Sequence, residues 1–171
     1  MEPFELTISE ALAQMSAGGL SSRELTASCL KRLADVEGSV QAFISYDPES
    51  AFEMADRADK QRARKEGGEL CGIPLAIKDL LCTKGVKTTC GSRILEQFIP
   101  PYDATVVEKI KTQGAVIVGK TSMDEFAMGS TSETCAFTTP SNPWKPVKTG
   151  VHGCHDTRPD WTSTARDTPP K

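Results

Sequence analysis

Two short apolar runs constrain the fold of this chain more than any other feature. The runs are Ile73–Ile77 and Ala115–Val118, and each is bounded by turn residues or by charge, which is typical of a buried strand. We expect the first strand to be buried on both faces. Between the runs, the pattern predicts a helix capped by Asp103, running to Gln113 and ended by Gly114. A strand, helix and strand at this spacing predict a βαβ unit with parallel strands and a right-handed crossover, and hence an α/β fold.

The first third of the chain is helical in pattern. A capping box at Thr7 opens one helix, which Gly18 ends. Ser22 is predicted to cap a second helix with one apolar stripe, and residues 40–44 read as a short strand. Pro48 is predicted to open a third helix, so heavily charged that we expect it on the surface.

Length and composition favour one ordinary globular domain. The 171 residues are 38% hydrophobic, and no apolar run approaches the roughly 20 residues that span a bilayer. The start, Met1–Glu5, has no basic segment followed by an apolar one, so we expect a soluble cytoplasmic protein with no membrane association. The formal net charge of −3 gives no general attraction to nucleic acid. The six cysteines form no C-x-x-C pair and are expected to be reduced thiols.

The composition changes near Lys145. Residues 145–171 contain no Leu, Ile, Phe or Met and show no periodicity, so we expect a disordered tail after a single folded part, 1–144. His152, Cys154, His155 and Asp156 have metal-binding side chains, but no secondary structure is predicted there to fix a coordination geometry. We therefore expect no metal site.

A phosphate-loop pattern lies in the second apolar run. Gly114–Thr121 fits G-x-x-x-x-G-K-S/T in every position. In a functional phosphate loop the strand precedes the first glycine, and the residues between the glycines wrap the phosphates. Here those residues are themselves the predicted strand, so we reject a nucleotide site and interpret Gly114 as a helix stop.

Lys78 follows the first apolar run directly. A lysine desolvated at the mouth of a buried strand would have a lowered pKa, as a general base requires. A lysine at a strand end can equally extend its ammonium into solvent. The residues alone leave both interpretations open.

Four long motifs follow one another along the chain: Gly72–Asp79, Thr83–Ser92, Pro101–Val107 and Gly119–Ser130. In this order they resemble the motifs of the amidase-signature family, with similarity over roughly residues 5 to 144. Within that family they are most similar to the A subunits of glutamyl-tRNA(Gln) amidotransferases.

The resemblance implies the first, incomplete part of an amidase-signature mixed sheet, and a serine amidase with a Ser-Ser-Lys triad. Its lysine corresponds to Lys78, and the loop of Met128, Gly129 and Ser130 would lie along the substrate pocket. Glutamine would be the ammonia donor. The ammonia would pass to a B subunit, which uses ATP and Mg²⁺ to amidate the glutamate of mischarged tRNA, while a small C subunit braces the pair.

The resemblance stops after Trp144. The family continues there with a Gly- and Ser-rich segment that carries the bridging serine, and neither Ser130 nor Ser141 matches a family serine. We therefore expect this polypeptide to be a truncated form without glutaminase activity, and a shifted reading frame would explain its tail. Two alternatives stay open: a fragment of an amidase for small amides, and a non-catalytic interaction protein.

Overall fold

The computed structural model describes residues 1–143; the predictions for Trp144 and for 145–171 lie outside that range. Within that range the chain forms four α-helices and three strands, with short 3₁₀ turns at Pro3–Glu5, Arg93–Leu95 and Glu125–Ala127. In chain order the main elements are α1 (Ile8–Ala17), α2 (Ser22–Val40), β1 (Phe43–Tyr46), α3 (Pro48–Ala63), β2 (Pro74–Lys78), α4 (Thr105–Thr112) and β3 (Val116–Thr121).

The sheet has the order β1-β3-β2. β2 and β3 are parallel and are connected through α4, which confirms the predicted βαβ unit. β1 pairs with β3 in the antiparallel direction, so the three strands form a mixed sheet. β3 is buried along nearly its whole length, as predicted.

The expectation that β2 is buried on both faces is wrong for the part of the chain that the structure describes. Ile77 is buried, but its neighbours Ala76 and Lys78 are exposed. Because side chains alternate along a strand, these two neighbours share the open face of β2.

Helices pack on both faces of the sheet. Val116 and Val118 lie in a core cluster with residues of α2 and α3, whereas Ile117 packs with Ile77 and with Val107 of α4. The alternation of β3 therefore distributes its side chains between two helical layers. Burying one valine or isoleucine in such a layer stabilises the fold by about 1.5–3 kcal/mol.

The capping box at Thr7 is confirmed, since its side chain accepts a hydrogen bond from the Glu10 amide, and Gly18 ends α1 in the left-handed conformation. The predicted cap of α2 is wrong by one residue. Ser21 is the N-cap, and its Oγ accepts from the Glu24 amide at 3.1 Å. Ser22 is fully buried and donates instead to the carbonyl oxygen of Gly72 at 2.8 Å. Its burial ties the start of α2 to the segment before β2.

β1 begins later than the sequence indicates. α2 continues through Val40, and Gln41 then adopts a left-handed conformation that ends the helix, so the strand starts at Phe43. The Gln41 amide donates to the Glu37 carbonyl and the Phe43 amide donates to the Glu37 carboxylate, so Glu37 fixes this end of the helix.

α3 opens at Pro48, as predicted, and is capped by Asp47. The expectation of a surface helix holds for one side only, because Ala51, Ala55 and Ala58 are buried. These small side chains let α3 approach the sheet closely, and the charged residues cover its other face.

Asp103 does not cap α4. The helix begins at Thr105 with Ala104 as its N-cap, and no side-chain cap is made there. The Asp103 carboxylate instead accepts hydrogen bonds from the Lys84 amide at 2.7 Å and from the Lys111 ammonium at 2.8 Å. Asp103 therefore connects the loop after β2 to α4.

Candidate active site at the end of β2

Lys78 is the last residue of β2 and lies opposite Thr121 of β3. Both strands end at the same edge of the sheet, which is where ligands bind in open α/β sheets. The Lys78 side chain is exposed within residues 1–143, so the structure does not show the desolvated lysine that one interpretation required. The stem leaves the strand on its open face, because the preceding Ile77 occupies the buried face.

The buried lysine of this region is Lys120, in β3. Its side chain is 0% exposed, and its ammonium donates to the carbonyl oxygen of Leu81 at 2.7 Å. It also donates to the hydroxyl oxygens of Thr88 at 2.9 Å and Thr83 at 3.3 Å. Burial lowers the pKa of Lys120, although the nearby negative charge of Asp79 opposes that effect. Lys120 thus acts as a structural cation that joins β3 to the loop after β2.

Asp79 is the counter-ion of Lys120, and its carboxylate is 1% exposed. One carboxylate oxygen, Oδ1, lies 3.6 Å from the Lys120 ammonium nitrogen, which is an ion-pair distance and too long for a hydrogen bond. The other, Oδ2, accepts from the Thr89 amide at 2.9 Å and from the Thr89 hydroxyl. Asp79 therefore anchors the loop that returns towards the strand end.

The phosphate-loop pattern of Gly114–Thr121 has no phosphate-loop geometry. Gly114 ends α4 with φ of +77°, and Val116–Thr121 is a strand. The Lys120 ammonium is engaged by protein oxygens inside the fold. The interpretation of Gly114 as a helix stop, and of the apolar residues after it as a strand, is confirmed.

The predicted substrate loop of Met128, Gly129 and Ser130 is exposed. Asp124 organises it, because its carboxylate accepts hydrogen bonds from the amides of Thr131, Ser132 and Thr134, and from the Thr134 hydroxyl. The Ser132 amide in particular holds the pKa of Asp124 below its ordinary value. Gly129 lies so close to the Asp124 carboxylate that a β-carbon there would collide with it.

Backbone hydrogen bonds connect the end of β2 with the segment that leads to this loop. The Cys90 amide donates to the Asp79 carbonyl at 3.2 Å, and the Phe126 amide donates to the Cys90 carbonyl at 2.9 Å. A side-chain bond from Ser92 to Glu125, 2.6 Å long, runs beside them. The strand end that carries Lys78 and the segment before Met128 are therefore parts of one hydrogen-bonded unit.

Sequence reasoning missed the roles of Asp79, Lys120 and Asp124. One signal was present: a lysine inside an otherwise apolar strand needs a buried counter-ion, and Asp79 follows the neighbouring strand. Asp124 gives no comparable signal, because its partners are mostly backbone amides.

Residues 1–143 contain no group of three or more His, Cys, Asp or Glu side chains that could hold a metal ion. The five cysteines in that range are free thiols. Among the helices described, none has both the length and the apolar character needed to cross a membrane.

Comparison with known proteins identifies the family. The family model described as Amidase matches residues 24–150, which is most of the chain. This chain belongs to the amidase family. The strand β2, which carries Lys78, and the predicted substrate loop of this amidase-family chain both lie inside the matched segment.

Curated relatives are named as the A subunit of glutamyl-tRNA(Gln) amidotransferase. The protein of that name from Desulfotalea psychrophila is 57% identical over 145 residues, which are 85% of this chain and 30% of the relative. The one from Synechococcus sp. is 52% identical, over 84% of this chain and 30% of the relative. The chain thus spans about a third of the length of these relatives.

Solved amidase structures share the fold of the described part. The A subunit of the Thermotoga maritima glutamyl-tRNA(Gln) amidotransferase superposes with a TM-score of 0.64 at 38% identity, over 84% of this chain and 28% of that one. The peptide amidase from Stenotrophomonas maltophilia gives a TM-score of 0.74 at 30% identity, over 85% and 31%. The mixed sheet and its helices are therefore the N-terminal part of the amidase-signature fold.

Proposed function

We propose that residues 1–143 are the lysine-bearing part of a glutamine-hydrolysing amidase, the A subunit of a glutamyl-tRNA(Gln) amidotransferase. The observation that carries the proposal is the 57% identity to a relative of that name, over a segment that includes both Lys78 and the loop 128–130. The resemblance in the motifs gives Lys78 its role as general base, and gives Met128, Gly129 and Ser130 theirs along the glutamine pocket.

The position of Lys78 suits a general base that acts on serine side chains contributed by other segments of the enzyme. It leaves the sheet edge on the open face of β2, while Ile77 and Asp79 on either side are buried and hold the backbone. In the proposed reaction a serine hydroxyl attacks the amide carbon of glutamine, and its proton passes through a bridging serine to the neutral lysine. The lysine then returns a proton to the leaving nitrogen, which departs as ammonia, and water hydrolyses the acyl-enzyme.

Lys78 supplies a base and no nucleophile. In a triad that acts as a unit, a single member retains little of the covalent pathway. The proposal therefore includes the expectation that this chain shows no glutaminase activity by itself. It also includes partners: a B subunit that binds ATP and Mg²⁺ and amidates the tRNA-bound glutamate, and a C subunit that stabilises the pair.

A second candidate is an amidase for small amides or peptides. The peptide amidase superposes with a higher TM-score than the amidotransferase protein does, 0.74 against 0.64. Its sequence identity is lower, however, 30% against 38%, and for that reason we favour the tRNA-dependent assignment.

A hybrid enzyme tests the proposal. Residues 1–143 replace the corresponding segment of the Desulfotalea psychrophila relative, and the product is purified with its B and C subunits. We expect glutamine hydrolysis, and formation of Gln-tRNA(Gln), at rates within tenfold of the unmodified complex. The 171-residue chain alone is the matched sample without activity.

Two results would oppose the proposal. A hybrid that assembles and folds but does not hydrolyse glutamine would exclude the glutaminase assignment. A hybrid that hydrolyses small amides and leaves glutamine intact would favour the second candidate.

A further inference from the structure

Asp79, the residue directly after Lys78, has a buried carboxylate. The Asp79 side chain is 1% exposed, and its backbone amide donates to the Thr121 carbonyl of β3 at 3.2 Å. Its carbonyl accepts from the Cys90 amide, and its carboxylate accepts from the Thr89 amide. Every polar group of Asp79 except Oδ1 is therefore fixed by a hydrogen bond, and Oδ1 faces the Lys120 ammonium.

Lys120 fixes the same segment from the neighbouring strand. Its ammonium reaches out of β3 to three oxygen atoms, which belong to Leu81, Thr83 and Thr88. All three residues lie in the loop 79–92, the segment between Asp79 and Ser92 that returns to the sheet edge. One buried cation therefore holds both the start and the middle of this loop against β3.

An exposed lysine side chain is not held in place by burial. It has many accessible rotamers, whereas a catalytic group must be held in place to within a fraction of an ångström. The part of Lys78 that the fold holds in place is its backbone, because it lies between buried Ile77 and buried Asp79.

We propose that Asp79 and Lys120 are a positioning pair for the catalytic lysine. The ion pair and its threonine contacts hold the end of β2 and the loop 79–92 in one arrangement, so that the Lys78 side chain leaves the sheet edge in a fixed direction. This inference rests on the proposed function, which gives Lys78 its catalytic role. Asp79 and Lys120 face away from the open side of β2 and act through Lys78, without touching substrate.

The opposite charges of Asp79 and Lys120 contribute to this positioning. The buried carboxylate and the buried ammonium cancel each other, and removal of either one leaves an uncompensated charge in the interior. Asp79→Asn keeps the shape of the side chain and removes the charge. Thr89→Val keeps the shape of the side chain and removes the hydroxyl, which donates to Asp79 and accepts from the Gly91 amide.

The test uses the full 171-residue chain and measures backbone ¹⁵N relaxation and amide hydrogen exchange in the folded state. We expect the order parameter of the Lys78 amide to fall from about 0.85 in the wild type to below about 0.6 in Asp79→Asn and in Thr89→Val. Exchange at the Cys90 amide, which is bonded to Asp79, should become at least about tenfold faster relative to amides of α2. Thr89→Ser retains the hydroxyl and should restore both values.

Asp103→Asn is the matched control. Asp103 also accepts from a backbone amide and from a lysine, but these belong to Lys84 and Lys111 and not to the end of β2, so its loss should leave Lys78 unchanged. An unchanged Lys78 order parameter in folded Asp79→Asn and Thr89→Val would overturn the proposal. If Asp79→Asn does not fold, Thr89→Val decides, since it removes one hydroxyl.

These measurements do not depend on amide hydrolysis. A hybrid enzyme that stays active without Lys78 would refute the proposed function and leave the positioning result standing. A rigid Lys78 in the variants would refute the positioning pair and leave the glutaminase proposal untouched.

Discussion

Lys120→Met removes a buried charge and changes the side-chain volume little. The ammonium is removed together with its hydrogen bonds of 2.7, 2.9 and 3.3 Å to Leu81, Thr88 and Thr83. The Asp79 carboxylate is then left without a counter-ion. Removing one partner of a buried ion pair costs about 3–5 kcal/mol, mostly because the remaining charge is uncompensated. Since small domains are stable by about 5–15 kcal/mol, the substitution should remove a large part of the free energy of unfolding.

Urea denaturation followed by far-ultraviolet circular dichroism measures this loss. The midpoint should fall while the dependence on urea stays unchanged, as expected for a change in stability alone. Lys111→Met is the matched control, because it loses a partly exposed pair with Asp103 and should cost below about 1 kcal/mol.

The double variant Asp79→Asn/Lys120→Met tests whether the loss comes from the uncompensated charge. Each single substitution leaves the partner's charge buried and uncompensated, whereas the double variant removes both charges. The double variant should therefore be more stable than the sum of the two single losses in free energy of unfolding implies, by about 1–3 kcal/mol. A Lys120→Met protein within about 1 kcal/mol of the wild type, or strictly additive losses, would show that the buried charges do not depend on each other.

Three smaller perturbations test other parts of the fold. Gly119→Ala places a β-carbon about 2.5 Å from the Ser45 carbonyl oxygen and should destabilise the β1–β3 pairing by about 1–3 kcal/mol in urea titrations. Ser21→Ala removes the cap of α2 and should cost about 1 kcal/mol, seen as a lower thermal midpoint. The Ser132 amide lowers the pKa of Asp124 below 3.8, so the stability that Asp124 contributes is present above pH 3.8 and is lost as the pH falls through the lowered value. The difference in free energy of unfolding between wild type and Asp124→Asn should shrink on acidification, and a constant difference would contradict the assignment.

Local signals predicted the βαβ unit and several helix ends. The capping box at Thr7, the left-handed Gly18 and the apolar run before Gly119 each depend on a few neighbouring residues, and each is confirmed. The predicted start of β1 at residue 40 was wrong, because α2 continues through Val40 and ends at the left-handed Gln41. Ser21 and Ser22 are adjacent and both polar, and only the contact of Ser22 with Gly72 separates their roles.

The burial of the two lysines could not be assigned from spacing. The pairing with β2 shifts register between Ile117 and Gly119, so a two-residue alternation cannot be followed through β3 to Lys120. Lys78 is exposed because buried Ile77 precedes it on a strand with one open face in the described residues. The partners of Lys120 lie more than 30 residues away along the chain, in a loop whose path the sequence does not reveal.

One substitution in the hybrid enzyme decides whether Lys78 is the base of a glutaminase. Lys78→Ala should lower kcat for glutamine hydrolysis at least about a hundredfold, as loss of a general base does, and leave assembly with the B and C subunits intact. Lys87→Ala, at an exposed lysine nearby in the chain, should retain the full rate. A Lys78→Ala hybrid that hydrolyses glutamine within tenfold of its parent would exclude Lys78 as the base.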